Sequence, residues 1–324
     1  MISISIVSFN TLEDLIVCVD SLLRNIKLPQ YEVLINAFNY DPKNKEQLSQ
    51  RYTQETNISI TYTEGIRGYS ANHNINLTKA KYDIVCILND DTYIKEDIFS
   101  NFYRVLQDPD VVGCCPIFLN FDGSIQVLYR KKLSPWHYLA TKIRLDRLAS
   151  SFGPYADFKE YEKCKNLDVI EIEYGLGACF CIKRMFLEER ILNEDFFLGP
   201  DDLYWSYLLR RNNSKKILLS CRDFIYHRGH TIISNHFASA LPTQFKGMMD
   251  LFEKMDFRFL GIFRLIFFLV VLLGFMYNAI AYVCTKRDRY RHLRIGYLNT
   301  AKVFWRTCSN PALFRFFYRN PQPK

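Results

Sequence analysis

The chain has 324 residues, of which 49% are hydrophobic and 15% aromatic, and its formal net charge is +8. This length and composition fit one large domain with an appendage, or two domains, and they exclude a disordered chain. The positive charge is local, because residues 285–324 hold ten Lys and Arg against one acid, which gives +9 there and −1 elsewhere. The basicity therefore belongs to an appendage rather than to the main domain.

The cysteines and the first residues bear on the cellular compartment. The ten cysteines include no CxxC pair. We therefore predict free buried thiols in a reducing cytoplasm, rather than disulfides or a zinc site. The opening stretch MISISIVSFN lacks a basic n-region and alternates serine with isoleucine. This pattern predicts a first β-strand rather than a targeting segment.

The first 120 residues alternate strand and helix patterns. Strands are predicted at ISISIVSF (2–9), YEVLI (31–35), ISITY (58–62), YDIVCIL (82–88) and VVGCCPIFL (111–119). Helices are predicted after Asn10 or Thr11 as N-cap, within GYSANHNINLTKA, and over IKEDIFSNFYRVLQ (94–107). The alternation predicts an α/β fold with a mostly parallel, Rossmann-like sheet and flanking helices. Sites in such folds gather at the C-terminal ends of the strands.

The second half is less regular, and residues 128–166 show no clear pattern. VIEIEY (169–174) and ACFCIKR (178–184) predict strands, residues 201–212 a helix, and KILL and FIYH two short strands. The segment LIFFLVVLLGFMYNAIAYVC (265–284) then runs without a charge. As a helix it would be about 30 Å long, enough to cross a hydrocarbon core, although a buried core helix is the alternative. We predict a main domain over 1–240 and a C-terminal membrane-associated helical region over 241–324.

Three polar residues, Asn89, Asp90 and Asp91, follow the apolar strand YDIVCIL. Because burying unpaired carboxylates is costly, these residues indicate a cleft in which a cation lies between them and an anionic group. Carboxylates at a strand end can bind Mg²⁺ or Mn²⁺ and leave positions open for phosphates. Acidic turns are common, so the triplet alone does not define a site.

Two further groups carry candidate chemistry. Asp201 and Asp202 follow Gly199-Pro200 and fall in the first turn of a predicted helix. They can complement the positive end of that helix, or one of them can act as a general base. His227 ends the predicted strand FIYH, where it can be structural, a metal ligand or a phosphate contact.

In this order the groups resemble family 2 glycosyltransferases of the GT-A fold, especially bacterial rhamnosyltransferase-like members, over about residues 2–235. The matching segments are ISIVSFN, EGIRGYSANHNINL, LNDDTYI, DPDVVGCCPIFLNFDGSIQ, GACFCIKR, NEDFFLGPDD and YHRGHT. LNDDTYI corresponds to the family's DXD-type segment, and NEDFFLGPDD ends at the position of its acidic ED pair. Seven segments in register make the resemblance specific.

The resemblance implies a role for each group. Asp91 would be the chief metal ligand, with His227 as a further ligand. Asp202 would be the base that deprotonates the acceptor hydroxyl, with Asp201 in place of the family's Glu. The residues expected around the donor are Ser8, Asn10, Asn36, Gly68, Asn74, Asn89 and Asp90. The implied reaction is a single inverting displacement at the anomeric carbon, with Mg²⁺ or Mn²⁺ stabilising the leaving nucleoside diphosphate.

The sequence also departs from the family pattern. Ile35 stands where the family usually has an aspartate that contacts the nucleoside, which leaves Asn36, with Asn39 or Asp41 as candidates to compensate. Beyond the acidic pair, Tyr204 and Leu208 replace the usual second aspartate and arginine. Neither change removes the expected metal site or base, but both leave the identity of donor and acceptor open.

The resemblance favours a dTDP-linked deoxysugar donor such as dTDP-rhamnose, with UDP-sugars next. The apolar segment favours a polyprenyl-diphosphate-linked glycan as acceptor, in surface polysaccharide synthesis. Residues 129–147 mix basic and aromatic side chains and either face that diphosphate or form a solvated loop. Nucleic acid is a poor candidate partner, because the positive charge lies beside the apolar segment.

The membrane topology follows from both flanks of the apolar segment. A nucleotide-sugar-using domain is expected in the cytoplasm, and the basic segment after residue 284 favours the same side. A helix that crosses the bilayer once cannot leave both the domain before it and the basic segment after it on the cytoplasmic side. We therefore predict an in-plane helix on the anionic, cytoplasmic face of the inner (plasma) membrane, which makes the protein peripheral or monotopic.

Two other protein classes are alternatives. A non-catalytic GT-A-like partner that binds a membrane glycan assembly complex is favoured by the missing nucleoside-contacting aspartate, and opposed by the presence of Asp91, Asp202 and His227. A nucleotidyltransferase would need a basic glycine-rich loop after the first strand, where the sequence has the acidic SFNTLEDL.

Overall fold

The computed structural model describes residues 1–65, 67–127, 134–143, 162, 164–213, 215–229 and 237–305. Most of residues 128–166, whose pattern was unclear, lie outside these ranges, as do 129–133 and 144–147 of the basic and aromatic segment. The described strands are β1 (Ile2–Phe9), β2 (Tyr31–Phe38), β3 (Ile58–Thr63), β4 (Ile84–Asn89), β5 (Thr92–Tyr93), β6 (Val111–Leu119), β7 (Ile125–Val127), β8 (Val169–Ile172), β9 (Cys179–Lys183) and β10 (Lys216–His227).

The helices fall between and after these strands. They are α1 (Leu12–Asn25), α2 (Pro42–Arg51), α3 (Tyr69–Leu77), α4 (Phe99–Val105), α5 (Pro135–Lys142), α6 (Asp201–Asn213), α7 (Phe237–Lys254), α8 (Leu260–Thr285) and α9 (Asp288–Val303). Two short 3₁₀ turns, Arg184–Phe186 and Glu188–Arg190, follow β9.

The strands form one mixed sheet in the order β3-β2-β1-β4-β9-β6-β10-β5, with β7 beside β6 and β8 beside β10. Strands β1 to β4 pair in parallel, and so do β6 and β10. Strand β9 lies antiparallel between β4 and β6. The parallel arrangement directs the C-terminal ends of β1, β2 and β4 to one edge of the sheet, which confirms the predicted α/β architecture.

Side chains on the two faces of the sheet enter separate apolar clusters. On β4, Ile84, Cys86 and Leu88 join one cluster with residues of α1 and α4. The alternate residues Val85 and Ile87 join the other with residues of α3 and α6. This alternation is the two-residue period of a strand that is buried on both faces.

The chain divides into two compact units. The first holds the described residues of Met1–Lys132, Tyr155–Asn193 and Asp202–Gly229, and the second those of Leu133–Pro154, Glu194–Asp201 and His230–Lys324. The first unit contains the whole sheet. The boundary predicted at residue 240 stays a prediction.

The structure refines several predicted elements. KILL and FIYH belong to one continuous strand, β10, whose pairing with β6 shifts register between Leu219 and Phe224. Helix α4 begins at Phe99, later than the pattern suggested, because Asp97 accepts the backbone N–H groups of Phe99 and Ser100. Helix α2, which the sequence analysis did not identify, is capped by Asp41, whose side chain accepts the Asn44 N–H, and begins with Pro42.

The cysteine prediction was wrong for one pair. Cys164 and Cys221 form a disulfide, although they are 57 residues apart. The pairing of β8 with β10 brings the segments around the two cysteines together. The spacing of the cysteines in the sequence did not predict this disulfide. Among the described cysteines, Cys284 is free and exposed, and the six free buried ones are Cys18, Cys86, Cys114, Cys115, Cys179 and Cys181. Burial raises the pKa of Cys181 to about 12, so that thiol is unreactive.

The second unit contains a hairpin of two helices. Helix α8 has a mean hydropathy of 2.4 over its most apolar stretch, of which 17% is buried, and by length and composition it could cross a membrane. Arg294 of α9 lies over the Tyr282 ring, and Phe304 contacts Phe268, near the other end of α8. The contacts move toward the start of α8 as α9 proceeds, so the two helices are antiparallel.

Candidate active site

The candidate metal position lies where β4 ends. Asn89 closes the strand, Asp90 and Asp91 follow, and the two-residue strand β5 pairs antiparallel with the end of β10. In this pairing His227 lies opposite Thr92. The pairing therefore places His227 beside Asp91, although 136 residues separate them in sequence.

Asp91 is held by the turn after β10. Its Oδ2 accepts the Gly229 N–H at 3.1 Å, and its backbone carbonyl accepts the Arg228 N–H at 3.0 Å. Its Oδ1 lies 3.3 Å from Nε2 of His227 but is buried without a well-aligned hydrogen bond among the described residues. Burial raises the pKa of Asp91, but a protonated His227 and the Gly229 N–H outweigh burial and hold that pKa below its usual value. A positive charge beside Asp91 therefore stabilises its carboxylate form.

These residues suit a divalent cation that keeps several other ligands. Within the described ranges, no group of three or more His, Cys, Asp and Glu side chains could hold a metal. Two metal-donor atoms lie close together, namely Oδ1 of Asp91 and Nε2 of His227. The Asp91 oxygen is buried and accepts no hydrogen bond from the described residues. Mg²⁺ and Mn²⁺ sites commonly combine one or two protein carboxylates with water and substrate phosphates. The observed donor pair fits such an ion.

Asp90 points away from this pair, toward the start of α1. Thr11 donates its hydroxyl hydrogen bond to Asp90 Oδ2, and Ser8 contacts Thr11 at 2.9 Å and the Tyr40 hydroxyl at 2.7 Å. Burial raises the pKa of Asp90 to about 6, although the hydroxyl groups of Ser8 and Thr11 partly offset it. Thr11 occupies the predicted N-cap position of α1 but makes no side-chain capping bond. The structure thus brings Ser8 and Asp90 together.

Two other residues expected around the donor are buried and engaged with protein groups. Asn36 is fully buried, donates to Asn72 at 3.1–3.2 Å and accepts from Thr63 at 2.8 Å. Asn74 donates to the Leu192 carbonyl and accepts the Leu192 N–H, both at 2.8 Å. Their side-chain contacts join α3 to β2 and to the segment after β9.

Asn10 and Gly68 lie at element ends. Asn10 has a positive φ of 51°, and its Oδ1 accepts from the Asn44 side chain at 3.0 Å and lies 3.4 Å from the Asp41 backbone N. Gly68 is the N-cap of α3, and its carbonyl accepts from the Asn72 side chain at 3.0 Å. A role for Asn10, Asn36, Gly68 and Asn74 in donor binding stays a prediction.

The candidate base lies at the start of α6. Asp202 Oδ2 accepts the Gly177 N–H at 3.2 Å. The Gly177 carbonyl in turn contacts the Tyr69 hydroxyl at 2.9 Å, and the same hydroxyl lies 2.8 Å from Asn89 Oδ1. A side chain on residue 177 would be tight, since a Cβ there would lie 3.3 Å from Asp202 Cβ. Tyr69 and Gly177 thus connect the base to the metal side of the site.

Asp201, the other acid of the pair, has different surroundings. It is 2% exposed, and its Oδ2 accepts the Gly199 N–H at 2.7 Å. It begins α6, so its charge also complements the positive end of that helix. The position of Asp201 therefore fits the structural role of complementing the positive end of the helix, one of the two alternatives for this pair. Its catalytic role stays a prediction.

Sequence reasoning missed three residues that shape the site. Tyr69 and Gly177 lie inside segments that carried the family resemblance, but no role was assigned to them. Gln126, at the end of DGSIQ, contacts His227 through both ends of its amide, at 2.8 Å each. Their presence in matched segments was the available signal. Their roles depend on contacts across roughly 100 residues of sequence, which no local pattern reveals.

The comparisons with known proteins identify the family. The family model for glycosyl transferase family 2 matches residues 3–190, more than half of the chain. The chain therefore belongs to glycosyl transferase family 2, a family of glycosyltransferases. No curated protein sequence matches the chain.

Solved structures show the same fold at low sequence identity. The mannosyltransferase PcManGT from Pyrobaculum calidifontis, in complex with GDP-Man and Mn²⁺, is 13% identical with a TM-score of 0.55, over 95% of this chain and 88% of that one. GalNAc-T7 with UDP, GalNAc and Mn²⁺ is 16% identical with a TM-score of 0.54, over 70% of this chain. The match spans 43% of the GalNAc-T7 chain. These likenesses confirm the predicted GT-A fold.

Proposed function

We propose that this protein transfers a sugar from a nucleotide-sugar donor to a hydroxyl of a lipid-linked glycan, by one inverting displacement that depends on a divalent metal. The observation that carries the proposal is the connection between two acids in the first unit. Asp91 lies beside His227, whose Nε2 is 3.4 Å from the Asn89 amide nitrogen. The Tyr69 hydroxyl contacts Asn89 Oδ1 at 2.8 Å and the Gly177 carbonyl at 2.9 Å, and the Gly177 N–H donates to Asp202 at 3.2 Å.

On this proposal Oδ1 of Asp91 and Nε2 of His227 hold Mg²⁺ or Mn²⁺. The bound ion supplies positive charge that neutralises the leaving nucleoside diphosphate. Asn89 and Asp90 shape the surroundings of the diphosphate. Two related structures carry Mn²⁺ together with UDP or GDP-Man, which supports a divalent metal and a nucleotide-sugar donor for this chain as well.

Asp202 is the proposed general base. A base has to hold its carboxylate within hydrogen-bond reach of the acceptor hydroxyl. The Gly177 N–H orients Oδ2, and the Ser206 hydroxyl bridges the Asp202 carbonyl at 2.7 Å and the Gly175 N–H at 3.0 Å. These bonds fix the first turn of α6, so Asp202 has a defined position from which to accept the proton of the acceptor.

The proposed donor is a dTDP-linked deoxysugar such as dTDP-rhamnose, with UDP-sugars as the next choice. The matched segments of the rhamnosyltransferase-like resemblance support it. The proposed acceptor is a polyprenyl-diphosphate-linked glycan of a surface polysaccharide. An apolar helix in the same chain supports an acceptor that resides in a membrane.

Helix α8 is the proposed membrane contact. Nine of its apolar side chains are between 37% and 62% exposed, namely Ile262, Leu265, Leu269, Leu272, Leu273, Met276, Tyr277, Ile280 and Val283. Exposing so many large apolar groups to water is unfavourable. The basic residues after them, Lys286, Arg287 and Arg289, suit the anionic lipids of a cytoplasmic membrane face.

The α8–α9 hairpin supports an in-plane arrangement over a crossing. Helix α9 runs back along α8 and carries Arg291, Arg294 and Lys302. If α8 crossed the bilayer, these charges would enter hydrocarbon at about 2.5–3.5 kcal/mol each near the centre. Protease access to the C-terminal segment in sealed vesicles of known orientation tests this topology. Cleavage only after the lumen is opened would contradict the in-plane arrangement.

The experiment that tests the function is turnover of a panel of nucleotide sugars in detergent or nanodiscs. It measures nucleoside diphosphate release with lipid-linked acceptor extracts present, for the natural sequence beside Asp91→Ala and Asp202→Asn. We expect release with one donor, lost without Mg²⁺ or Mn²⁺ and in both variants. Donor binding without release, unchanged by either substitution, would favour the non-catalytic partner instead.

A further inference from the structure

Gln126 on β7 lies directly behind the candidate metal ligand His227. Its Nε2 donates to the His227 backbone carbonyl at 2.8 Å and to Asn120 Oδ1 at 3.1 Å. Its Oε1 lies 2.8 Å from Nδ1 of the His227 ring. One amide thus contacts both the backbone and the imidazole of the same histidine.

The backbone contact determines which way this amide faces. A backbone carbonyl can only accept a hydrogen bond, so the atom of Gln126 that meets the His227 carbonyl has to be the NH₂ group. The amide oxygen therefore faces Nδ1 of the ring. Because an amide oxygen can only accept, Nδ1 has to carry the proton.

The proton on Nδ1 defines the other side of the ring. In the neutral imidazole, Nε2 then has a bare lone pair. That atom faces Asp91 Oδ1 at 3.3 Å and the Asn89 amide nitrogen at 3.4 Å. Two acceptors, Nε2 and a carboxylate oxygen, face each other closely where no proton lies between them. Such a pair is stabilised by a cation.

We propose that Gln126 is a positioning residue that holds His227 in the Nδ1–H tautomer, so that the Nε2 lone pair is presented with Asp91 Oδ1 to a divalent cation. The inference rests on the proposed function in one respect, since it assigns Nε2 to the metal. Histidine ligands in metal sites commonly donate their other ring N–H to an oxygen acceptor, and removing such a partner typically weakens metal binding by about 10- to 100-fold.

The test combines the tautomer with metal affinity. The full-length protein, labelled with nitrogen-15 in histidine, is freed of metal with a chelator, and its ring nitrogens are recorded by NMR at about pH 8, where free imidazole is neutral. His227→Asn identifies the signal. We expect a protonated Nδ1 and a bare Nε2 in the natural sequence, and a mixture of tautomers in Gln126→Met.

The Mn²⁺ dissociation constant is measured on the same samples by electron paramagnetic resonance of the free ion. We expect Gln126→Met to weaken binding by about 10- to 100-fold. Gln126→Glu keeps an acceptor for Nδ1–H but loses the donor to the His227 carbonyl, so it should keep the tautomer and most of the affinity. Gln50→Met, on the exposed face of α2, is the matched control and should change neither quantity.

The outcomes separate this inference from the proposed function. A bare Nδ1 with the proton on Nε2 in the natural sequence overturns the inference, and so does Gln126→Met with unchanged tautomer or unchanged Mn²⁺ affinity. If Gln126→Glu loses as much tautomer preference and Mn²⁺ affinity as Gln126→Met, the contact with the His227 backbone carbonyl, rather than the contact with the ring, is what matters, and the inference is wrong. Absence of Mn²⁺ binding in the natural sequence, or binding unaffected by Asp91→Ala, counts against the proposed metal site, while the metal-free tautomer still decides the role of Gln126.

Discussion

Two pairs of adjacent aspartates, Asp90–Asp91 and Asp201–Asp202, differ in how their members are used. In the first pair, hydroxyl groups from the start of α1 surround Asp90, whereas Asp91 faces His227. In the second, Asp201 accepts the N–H of Gly199 two residues before it, whereas Asp202 accepts the N–H of Gly177 from a distant segment. In these bonds Asp201 contacts its own turn, whereas Asp90, Asp91 and Asp202 each contact a residue that is distant in sequence.

This difference shows why neighbouring acids of identical chemistry need not have equal roles. An acid bonded to its own turn stabilises that turn. Asp90 accepts from the Thr11 hydroxyl, whereas Asp91 presents a buried oxygen to His227 and Asp202 meets Gly177 from the segment before β9. We therefore expect Asp91 and Asp202 to carry more of the activity than Asp90 and Asp201, and each prediction below tests part of that contrast.

The largest expected effect is at the base. Asp202→Asn should lower kcat by about 10²- to 10⁴-fold, because an amide cannot accept the proton of the acceptor hydroxyl. Asp201→Asn keeps an acceptor oxygen for the Gly199 N–H and should lose less. Steady-state kinetics of nucleoside diphosphate release compare the two. Equal losses would mean that both acids serve the chemistry.

The next effect is at the metal side. Asp91→Asn should reduce turnover by about 10²- to 10³-fold, since it removes the negative charge that pairs with the cation at the leaving diphosphate. Asp90→Asn can still accept from Thr11 and should cost less activity. Titration with Mn²⁺ separates the causes, because only Asp91→Asn should shift the metal concentration for half-maximal rate strongly. The reverse order would exchange the roles of the two acids.

A smaller effect is expected where the base is positioned. Gly177→Ala places a Cβ 3.3 Å from Asp202 Cβ, so the carboxylate has to move by a fraction of an ångström. Displacements of about 1 Å can cost about 10²-fold, and we expect kcat to fall by about 10-fold with unchanged Mn²⁺ affinity. Gly261→Ala, where a Cβ meets nothing within 4 Å, is the control. A normal rate in Gly177→Ala would show that the Gly177 contact does not position Asp202.

The connection between the two acids gives a further modest effect. Tyr69→Phe removes the hydroxyl that contacts both Asn89 and the Gly177 carbonyl. A neutral hydrogen bond contributes about 0.5–1.5 kcal/mol, so kcat should fall by up to about 10-fold. Double mutants with Asp91→Asn and with Asp202→Asn measure the coupling. Independent, additive losses with both would argue against a connection through Tyr69.

The last prediction concerns the pH dependence of stability that arises from His73, a buried neighbour of Tyr69. His73 packs edge-on against Tyr69, its Nδ1 lies 2.7 Å from Ser5 Oγ, and burial lowers its pKa from 6.5 to about 3. The unfolded chain therefore binds a proton below pH 6.5 that the folded protein excludes. Stability should fall by about 2 kcal/mol between about pH 7 and pH 5 from this residue alone.

Urea unfolding at both pH values, in one detergent, measures that difference. His73→Gln should remove this part of the pH dependence, whatever its stability at neutral pH. His292→Gln, on the exposed side of α9, should keep it. A His73→Gln variant that loses as much stability on acidification as the natural sequence would show that other groups cause the loss.

The sequence supported most of the fold and part of the site. Strands β1, β4 and β6 were predicted nearly at their observed bounds, because their apolar runs and the polar residues after them are local properties. Asp91 and His227 were predicted together only through the family resemblance. The contact between Gln126 and His227 was not predicted, because it depends on how β7 and β10 both lie beside β6.

By itself the sequence determined most strands of the sheet, several helices, the acids at their ends, and the apolar α8 with the basic residues after it, since each depends on side chains that are close along the chain. Only the tertiary structure decided which acid of the first pair faces His227, which nitrogen of His227 faces Asp91, and that Cys164 meets Cys221. Each of these depends on pairing between strands or packing between segments far apart in sequence. Such contacts form by burying apolar surface and satisfying buried hydrogen bonds across the whole domain, and no local pattern encodes their geometry.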